Sequence, residues 1–163
     1  EVIYLRRKRD LVKEKELGLT FKLLDELLKE SDILSIHTPL TSETKGMIGK
    51  KEIMLMKKGA YIINTARGGI IDTDALIEAL KSGHLAGAAL DVFDKEPPDF
   101  ESPIFTMDNV IATPHIGAYT VEVIRLMDLI VAENIAKVLQ GEIPENIVNK
   151  EVLSKQNLRM RTP

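Results

Sequence analysis

The pattern of apolar and polar positions alternates two periodicities along the chain. Short runs rich in β-branched or small apolar residues predict strands at EVIYL (1–5), ILSIH (33–37), AYIINT (60–65), LAGAALDVF (85–93) and NVIAT (109–113), with a brief extended piece at TFKL (20–23). Between them, apolar residues recur at helical spacing in DLVKEKELG (10–18), LDELLKES (24–31), KKEIMLMKKG (50–59), DTDALIEALKSG (72–83) and TVEVIRLMDLIVAENIAKVLQG (120–141). The punctuation agrees with this division. Gly18, Gly59 and Gly83 close three of the helices, while Asp72 and Thr120 stand where N-caps are wanted. Strands of four to six residues alternating with helices make βαβ units. They predict an α/β fold with a doubly wound, Rossmann-like parallel sheet covered by helices on both faces.

Composition narrows the class. The chain has 163 residues, 44% of them hydrophobic and 29% charged, enough for one sizeable core. A net charge of −3 selects no partner. The absence of cysteine rules out a disulfide framework and thiolate chemistry, and fits a reducing cytoplasm. No apolar run approaches the ~20 residues of a membrane span, and no signal peptide is visible. No internal repeat or low-complexity segment interrupts the pattern. The chain begins at Glu1 and enters directly on a strand-like run, so it is expected to be a piece of a longer protein.

The chemistry is concentrated where the strands stop. Arg67 follows the strand at 60–65, Glu96 lies past the strand at 85–93, and His115 follows the strand at 109–113. In an open parallel sheet the carboxyl ends of the strands share one edge, and ligands bind in the crevice outside it. A guanidinium, a carboxylate and an imidazole are thus expected on a common rim. An arginine there can hold a substrate carboxylate in a bidentate pair and polarise a neighbouring carbonyl. A histidine can pass a proton to or from the adjacent oxygen, and a glutamate beside the ring orients the imidazole and favours its protonated form. The set fits reduction of a 2-oxo acid to a 2-hydroxy acid. Taken singly, each residue has a plainer reading: a surface charge, a solvated turn, a loop histidine with a satisfied hydrogen bond. Three at consecutive strand ends favour the chemical one.

The motifs LLKESDILSIHTPLT, NTARGGIID, AGAALDVFDKEPP and NVIATPHIGAYT, in that order and spacing, resemble the nicotinamide-binding domain of the D-isomer-specific 2-hydroxyacid dehydrogenases. That family includes glyoxylate/hydroxypyruvate reductases and phosphoglycerate dehydrogenases. The resemblance covers residues 1–150, with 151–163 as a tail towards a substrate domain. It implies Arg67 as the substrate-carboxylate residue, His115 as general acid/base and Glu96 as its partner. It also implies Asp91 on the nicotinamide carboxamide, and Thr38, Pro39, Thr65, Ala66, Arg67, His115 and Gly117 along the cofactor. A homodimer is expected on the same ground.

Two departures qualify this. The glycine-rich phosphate loop, which in the family follows the first strand, does not occur; the fold is therefore expected to be incomplete at its N-terminus, and these residues alone should bind cofactor weakly. At the end of the first strand, where members that use NAD place an acidic residue, stand Arg6 and Arg7, followed by Lys8 and Arg9. A guanidinium pairs with a 2′-phosphate where a carboxylate would repel it, so NADP(H) is the expected cofactor, with NAD as the alternative. The other reading of this run is a solvated basic turn. A nucleic-acid patch is disfavoured, because the rest of the chain is acidic and no aromatics interleave.

The remaining candidates are structural. His37 is expected near the cofactor, His84 on the surface, and the three histidines lack metal-ligand spacing, so no metal is expected. Ile124, Met127, Ile130, Val131 and Ile135 form a stripe expected to pack in a core or a dimer contact. The function expected is hydride transfer between a nicotinamide cofactor and a small 2-oxo or 2-hydroxy acid, glyoxylate or hydroxypyruvate before phosphoglycerate chemistry. A cofactor-sensing scaffold is the alternative outside enzymes; it has no need of Arg67, Glu96 and His115 together.

Overall fold

A computed structural model describes residues 1–155. It contains two compact units, 1–116 and 117 onwards. The first carries six strands in chain order: β1 (Val2–Tyr4), β2 (Leu19–Phe21), β3 (Ile33–Ile36), β4 (Ala60–Asn64), β5 (Leu85–Leu90) and β6 (Val110–Ala112). Four helices alternate with them: α1 (Leu11–Leu17), α2 (Leu24–Glu30), α3 (Lys50–Leu55) and α4 (Thr73–Lys81). Every expected strand and helix of this unit forms, most of them shorter than the sequence pattern by one to a few residues at the ends, and β2 starts one residue ahead of the expected 20–23.

All pairing is parallel, but the strands form two sheets. One is the pair β1–β2; the other has the order β3-β4-β5-β6. Each crossover runs through a helix or a long loop, as parallel strands require. Most helix ends follow from the residues read as caps. Gly59 does not, since α3 ends at Leu55 with an extended Met56 as its C-cap and Gly59 lies in the turn that precedes β4. Asp10 accepts from the Lys13 N–H at 3.1 Å and Asp72 from the Ala75 N–H at 3.0 Å, each satisfying an orphan donor of the first turn. Gly18 closes α1 with φ of 63°, a conformation a β-carbon would strain.

One face of the four-stranded sheet holds the core. In register across the sheet, Leu34, Ile62 and Ala88 form one row, and Ile36, Asn64 and Leu90 the next; all six are buried. Leu28, Ile53, Leu76 and Leu80 from α2, α3 and α4 complete this cluster. Full burial of each large aliphatic side chain stabilises the fold by about 1.5–3 kcal/mol. The alternate positions differ from expectation. Ile33, Tyr61 and Ile111, on the other face, are 59%, 50% and 69% exposed, so a sheet expected to be covered on both faces is closely covered on one. Hydrophobic strands of parallel type require two covering layers; the helices of this unit supply one.

His84 also departs from its expected place on the open surface. It is half-buried, and its Nε2 lies 3.0 Å from the Ile53 carbonyl near the end of α3, which also accepts from the Met56 N–H at 3.1 Å.

The second unit is dominated by α5 (Val121–Leu139), entered through Thr120, whose hydroxyl accepts from the Val123 N–H at 3.2 Å. None of its residues is buried; Ile124, Met127, Val131 and Ile135 of the predicted stripe are exposed and Ile130 is half-buried. Of the expected tail 151–163, residues after 155 lie outside the described residues. Among the described residues no helix is long and apolar enough to cross a membrane.

Candidate active site

The carboxyl ends of β3, β4, β5 and β6 fall in one register: Ile36 pairs with Asn64, Asn64 with Leu90 and Leu90 with Ala112. The residues that follow these four positions therefore emerge side by side. Thr38 and Pro39 come from the first, Thr65, Ala66 and Arg67 from the second, Asp91 from the third, and Thr113 and His115 from the fourth. The expected rim exists because parallel pairing puts every strand end on the same edge.

Arg67, Glu96 and His115 line a single open cleft of about 810 Å³, together with Leu40, Gly68 and Phe93 among others. The His115 Nδ1 lies 2.7 Å from Glu96 Oε2. A carboxylate only accepts, so Nδ1 carries the hydrogen and Nε2 is left as the atom where a proton is gained or lost. The other Glu96 oxygen accepts from the Phe93 backbone N–H at 3.1 Å, which fixes the carboxylate from behind. The Glu96 pKa is held below its ordinary 4.5, first by the hydrogen bond from His115, then by the Phe93 N–H; burial opposes these, and the charges of His115 and then Arg67 add to them. The carboxylate form of Glu96 is thus favoured at this point of the cleft.

His115 adopts φ of 55°, the one residue other than glycine with positive φ among the described residues. Such a conformation costs a histidine on the order of 1–3 kcal/mol, and it persists only where the surroundings hold it. Here they do. Asp91, 5% exposed, accepts from the Thr113 hydroxyl at 2.5 Å and from the Ile116 N–H at 2.9 Å, on either side of the histidine.

Arg67 is placed by residues that the sequence pattern passed over. Asn64 is 1% exposed; its side-chain oxygen accepts from the Ala66 N–H and its Nδ2 donates to the Arg67 carbonyl, both at 3.0 Å. These two bonds curl the chain after β4 so that Arg67 turns into the cleft, where its Nη1 also donates to the Ala66 carbonyl at 2.6 Å. Gly68 then crosses the backbone at Phe93 and Asp94 so closely that a β-carbon there would stand 2.0 Å from the Phe93 carbonyl carbon. Thr73 donates to Asp94 Oδ2 at 2.7 Å just beyond. The turn carrying Arg67 and the loop carrying Glu96 are thereby fastened to each other. An asparagine ending an apolar strand, and a glycine pair after an arginine, were the available signals.

The other expected residues are placed as follows. Thr38 is half-buried, and Pro39 is exposed with its carbonyl accepting from the Thr44 hydroxyl at 2.7 Å. Thr65 is exposed and Ala66 half-buried. The Thr38 and Thr65 hydroxyls have no hydrogen-bond partner among the described residues, so this stretch of rim offers polar groups to a ligand. His37 Nε2 lies 2.8 Å from the Ser35 hydroxyl. Gly117 opens the second unit. Among the described residues no group of three His, Asp or Glu side chains is placed to hold a metal ion.

The basic run after β1 is largely engaged. Arg9 forms a bidentate pair with Glu14 at 2.9 and 2.6 Å and stacks 4.8 Å over the Phe21 ring. Arg6 lies 3.7 Å from Asp10, and Arg7 3.1 Å from Glu43 in the turn after β3. Arg9 is structural; Arg6 and Arg7 remain 54% and 79% exposed at their side chains.

Comparison with known proteins places this geometry. Residues 1–117 match the family model described as D-isomer specific 2-hydroxyacid dehydrogenase, NAD binding domain. The chain is 48% identical over 152 residues to a glyoxylate reductase of Aeropyrum pernix, covering 93% of this chain and 45% of that protein. It is 50% identical over 140 residues to a D-3-phosphoglycerate dehydrogenase of Methanocaldococcus jannaschii, covering 86% and 26%. Among solved structures it resembles the NAD-complexed D-isomer specific 2-hydroxyacid dehydrogenase of Lactobacillus delbrueckii, with a TM-score of 0.80 at 40% identity, covering 91% of this chain and 49% of that one. The chain spans about half the length, or less, of the curated relatives it matches.

Proposed function

Because this chain belongs to the D-isomer specific 2-hydroxyacid dehydrogenase family, we propose that the protein carrying it is an oxidoreductase that interconverts a small 2-oxo acid and its 2-hydroxy acid. Glyoxylate or hydroxypyruvate is the substrate we assign. The observation that carries this reading is the 2.7 Å contact between Glu96 and His115 in the same cleft as Arg67.

The nicotinamide, when bound, supplies or accepts the hydride. The chain's own residues do the rest. Arg67 pairs with the substrate carboxylate and, through its charge, draws electron density from the adjacent carbonyl. His115 donates its Nε2 proton to the carbonyl oxygen as the alcohol forms and takes it back in the reverse direction. Glu96 keeps the ring oriented through Nδ1 and stabilises the imidazolium before the proton leaves. Thr38, Pro39, Thr65, Ala66, Asp91, His115 and Gly117 are the residues we assign along the cofactor, Thr38 and Thr65 offering their unpartnered hydroxyls.

NADP(H) is the cofactor form we assign, through Arg6 and Arg7, whose surface ion pairs are weak enough to yield to a 2′-phosphate. A homodimer and a cytoplasmic location complete the reading. They are supported by the exposed apolar stripe of α5 and by the lack of cysteine. Phosphoglycerate dehydrogenase is the second reading, favoured by the M. jannaschii relative. A non-enzymatic cofactor sensor is the third, and it leaves the Arg67, Glu96 and His115 set without a purpose.

The test is a panel of glyoxylate, hydroxypyruvate and phosphohydroxypyruvate on the complete protein, with Arg67→Ala beside the parent. A bidentate charge-assisted pair contributes about 3 kcal/mol, so kcat/KM falls on the order of 100-fold. Unchanged turnover in the variant refutes the role given to Arg67.

A further inference from the structure

Three features surround His115 that its part in proton transfer does not by itself require. Its backbone lies at φ of 55°. Its N–H donates to the Thr113 carbonyl at 3.1 Å, closing a very tight turn. The residues on either side of it, Thr113 and Ile116, both donate to one oxygen of the same buried carboxylate, Asp91 Oδ1.

We propose that Asp91 is a positioning residue for the catalytic imidazole: a single carboxylate oxygen at the end of β5 clips the 113–116 loop at two points and holds His115 in its left-handed conformation against Glu96. This rests on the acid–base reading of His115 given above. It is separate from any contact of Asp91 with a cofactor, because the bonds to Thr113 and Ile116 form in the protein alone.

The physical reason is geometric. Deprived of either Asp91 bond, the loop keeps the Thr113 N–H on the Leu90 carbonyl at 2.9 Å but loses the clip that fixes its two ends to one point. Its histidine can then return to negative φ, the broad basin open to residues with a β-carbon. That rotation about the backbone swings the ring away from the Glu96 loop and breaks the 2.7 Å contact. Two donors converging on one acceptor leave no such freedom. Burial strengthens the clip, since a carboxylate sheltered from water holds charge-assisted hydrogen bonds more firmly than an exposed one. Asp91 is also anchored on its own side, its N–H donating to the Asn64 carbonyl at 2.9 Å. The chain of restraint therefore runs from β4 through Asp91 to the histidine, while Asn64 separately sets the turn of Arg67.

Thr113→Val removes one donor and leaves the Asp91 carboxylate intact. Asp91→Ala removes the acceptor, and Asp91→Asn retains an oxygen that accepts both bonds. In the ¹⁵N-histidine-labelled complete dehydrogenase, the Nδ1–H proton bonded to Glu96 gives a signal that His115→Gln identifies by its loss. The expected result is that this signal persists in Asp91→Asn and disappears in Thr113→Val and Asp91→Ala, each still folded by its thermal transition. In the complete dehydrogenase, Thr113→Val then lowers kcat about tenfold while the KM values for both substrates stay within about twofold. If Asp91→Ala does not fold, Thr113→Val decides alone. An undisturbed signal in folded Thr113→Val overturns the proposal whatever the kinetics. A lost signal with unchanged kcat upholds the clip and overturns instead the acid–base role of His115.

Discussion

Replacing Gly68 by alanine should separate the arginine from the histidine–glutamate pair without touching any of the three. The added β-carbon would stand 2.0 Å from the Phe93 carbonyl carbon, 2.3 Å from the Asp94 nitrogen and 2.3 Å from the Phe93 oxygen. All three are backbone atoms, so no side-chain rotation relieves the clash. Ordinary contact begins near 3.4 Å, and the 67–70 turn must retreat from the 93–96 loop by roughly 1 Å or more in a close-packed interior. Overpacking of this kind costs about 1–3 kcal/mol. For a chain of this size that lowers the melting temperature by about 2–4 °C per kcal/mol. The larger effect is chemical. A displacement of about 1 Å between a binding group and the reacting atoms lowers turnover on the order of 100-fold. Thermal unfolding followed by circular dichroism measures the first, and steady-state kinetics of the complete dehydrogenase measure the second. Thr73→Ala, which removes only the 2.7 Å bond to Asp94, should produce the same pair of changes in milder form. An alanine at position 68 with parental kcat/KM and a melting temperature within about one degree would refute the fastening of these two loops.

Two further outcomes are expected. Glu14 has its pKa lowered from the ordinary 4.5 to about 2, chiefly by its hydrogen bonds from Arg9 and then Tyr4. A depressed carboxylate pKa contributes stability that is fully present above the unfolded value and disappears as pH falls through the folded one. The melting temperatures of the parent and Glu14→Gln should therefore differ at pH 6 and converge between pH 4.5 and 2; a gap constant with pH contradicts this. Arg6→Ala and Arg7→Ala should each lower the efficiency with NADP(H) by about tenfold while leaving NAD(H) within about twofold. A parental enzyme that clearly prefers NAD(H) contradicts the assignment of these arginines.

How much of this was legible in the sequence depends on range. The strands and helices were legible because their signals are local: a period of two or 3.6, an aspartate or threonine at a helix start, a glycine at its end. The rim was legible because parallel pairing places successive strand ends together without any knowledge of side-chain packing. Arg67, Glu96 and His115 could be named on that ground before any distance was known. Covering of the sheet was not legible from strand composition alone, since apolar strands demand two layers without saying where the second comes from. The basic run at 6–9 read as one feature and proved to be several. Arg9 closes on Glu14 and Phe21, whereas Arg6 and Arg7 rest in exposed pairs.

What the sequence determined by itself, then, is the order of elements and the edge on which the chemistry stands, because both follow from near-neighbour periodicity and chain direction. What only the tertiary structure decided is how that chemistry is held. Asn64 curling the arginine turn, Gly68 lying against the Phe93 backbone, and Asp91 clamping the loop around a left-handed His115 are contacts between different strand-end loops or within one of their turns. For Gly68 and Asp91 the partners are brought within reach only by the fold, and no period along the chain encodes contacts between segments 22 to 26 residues apart.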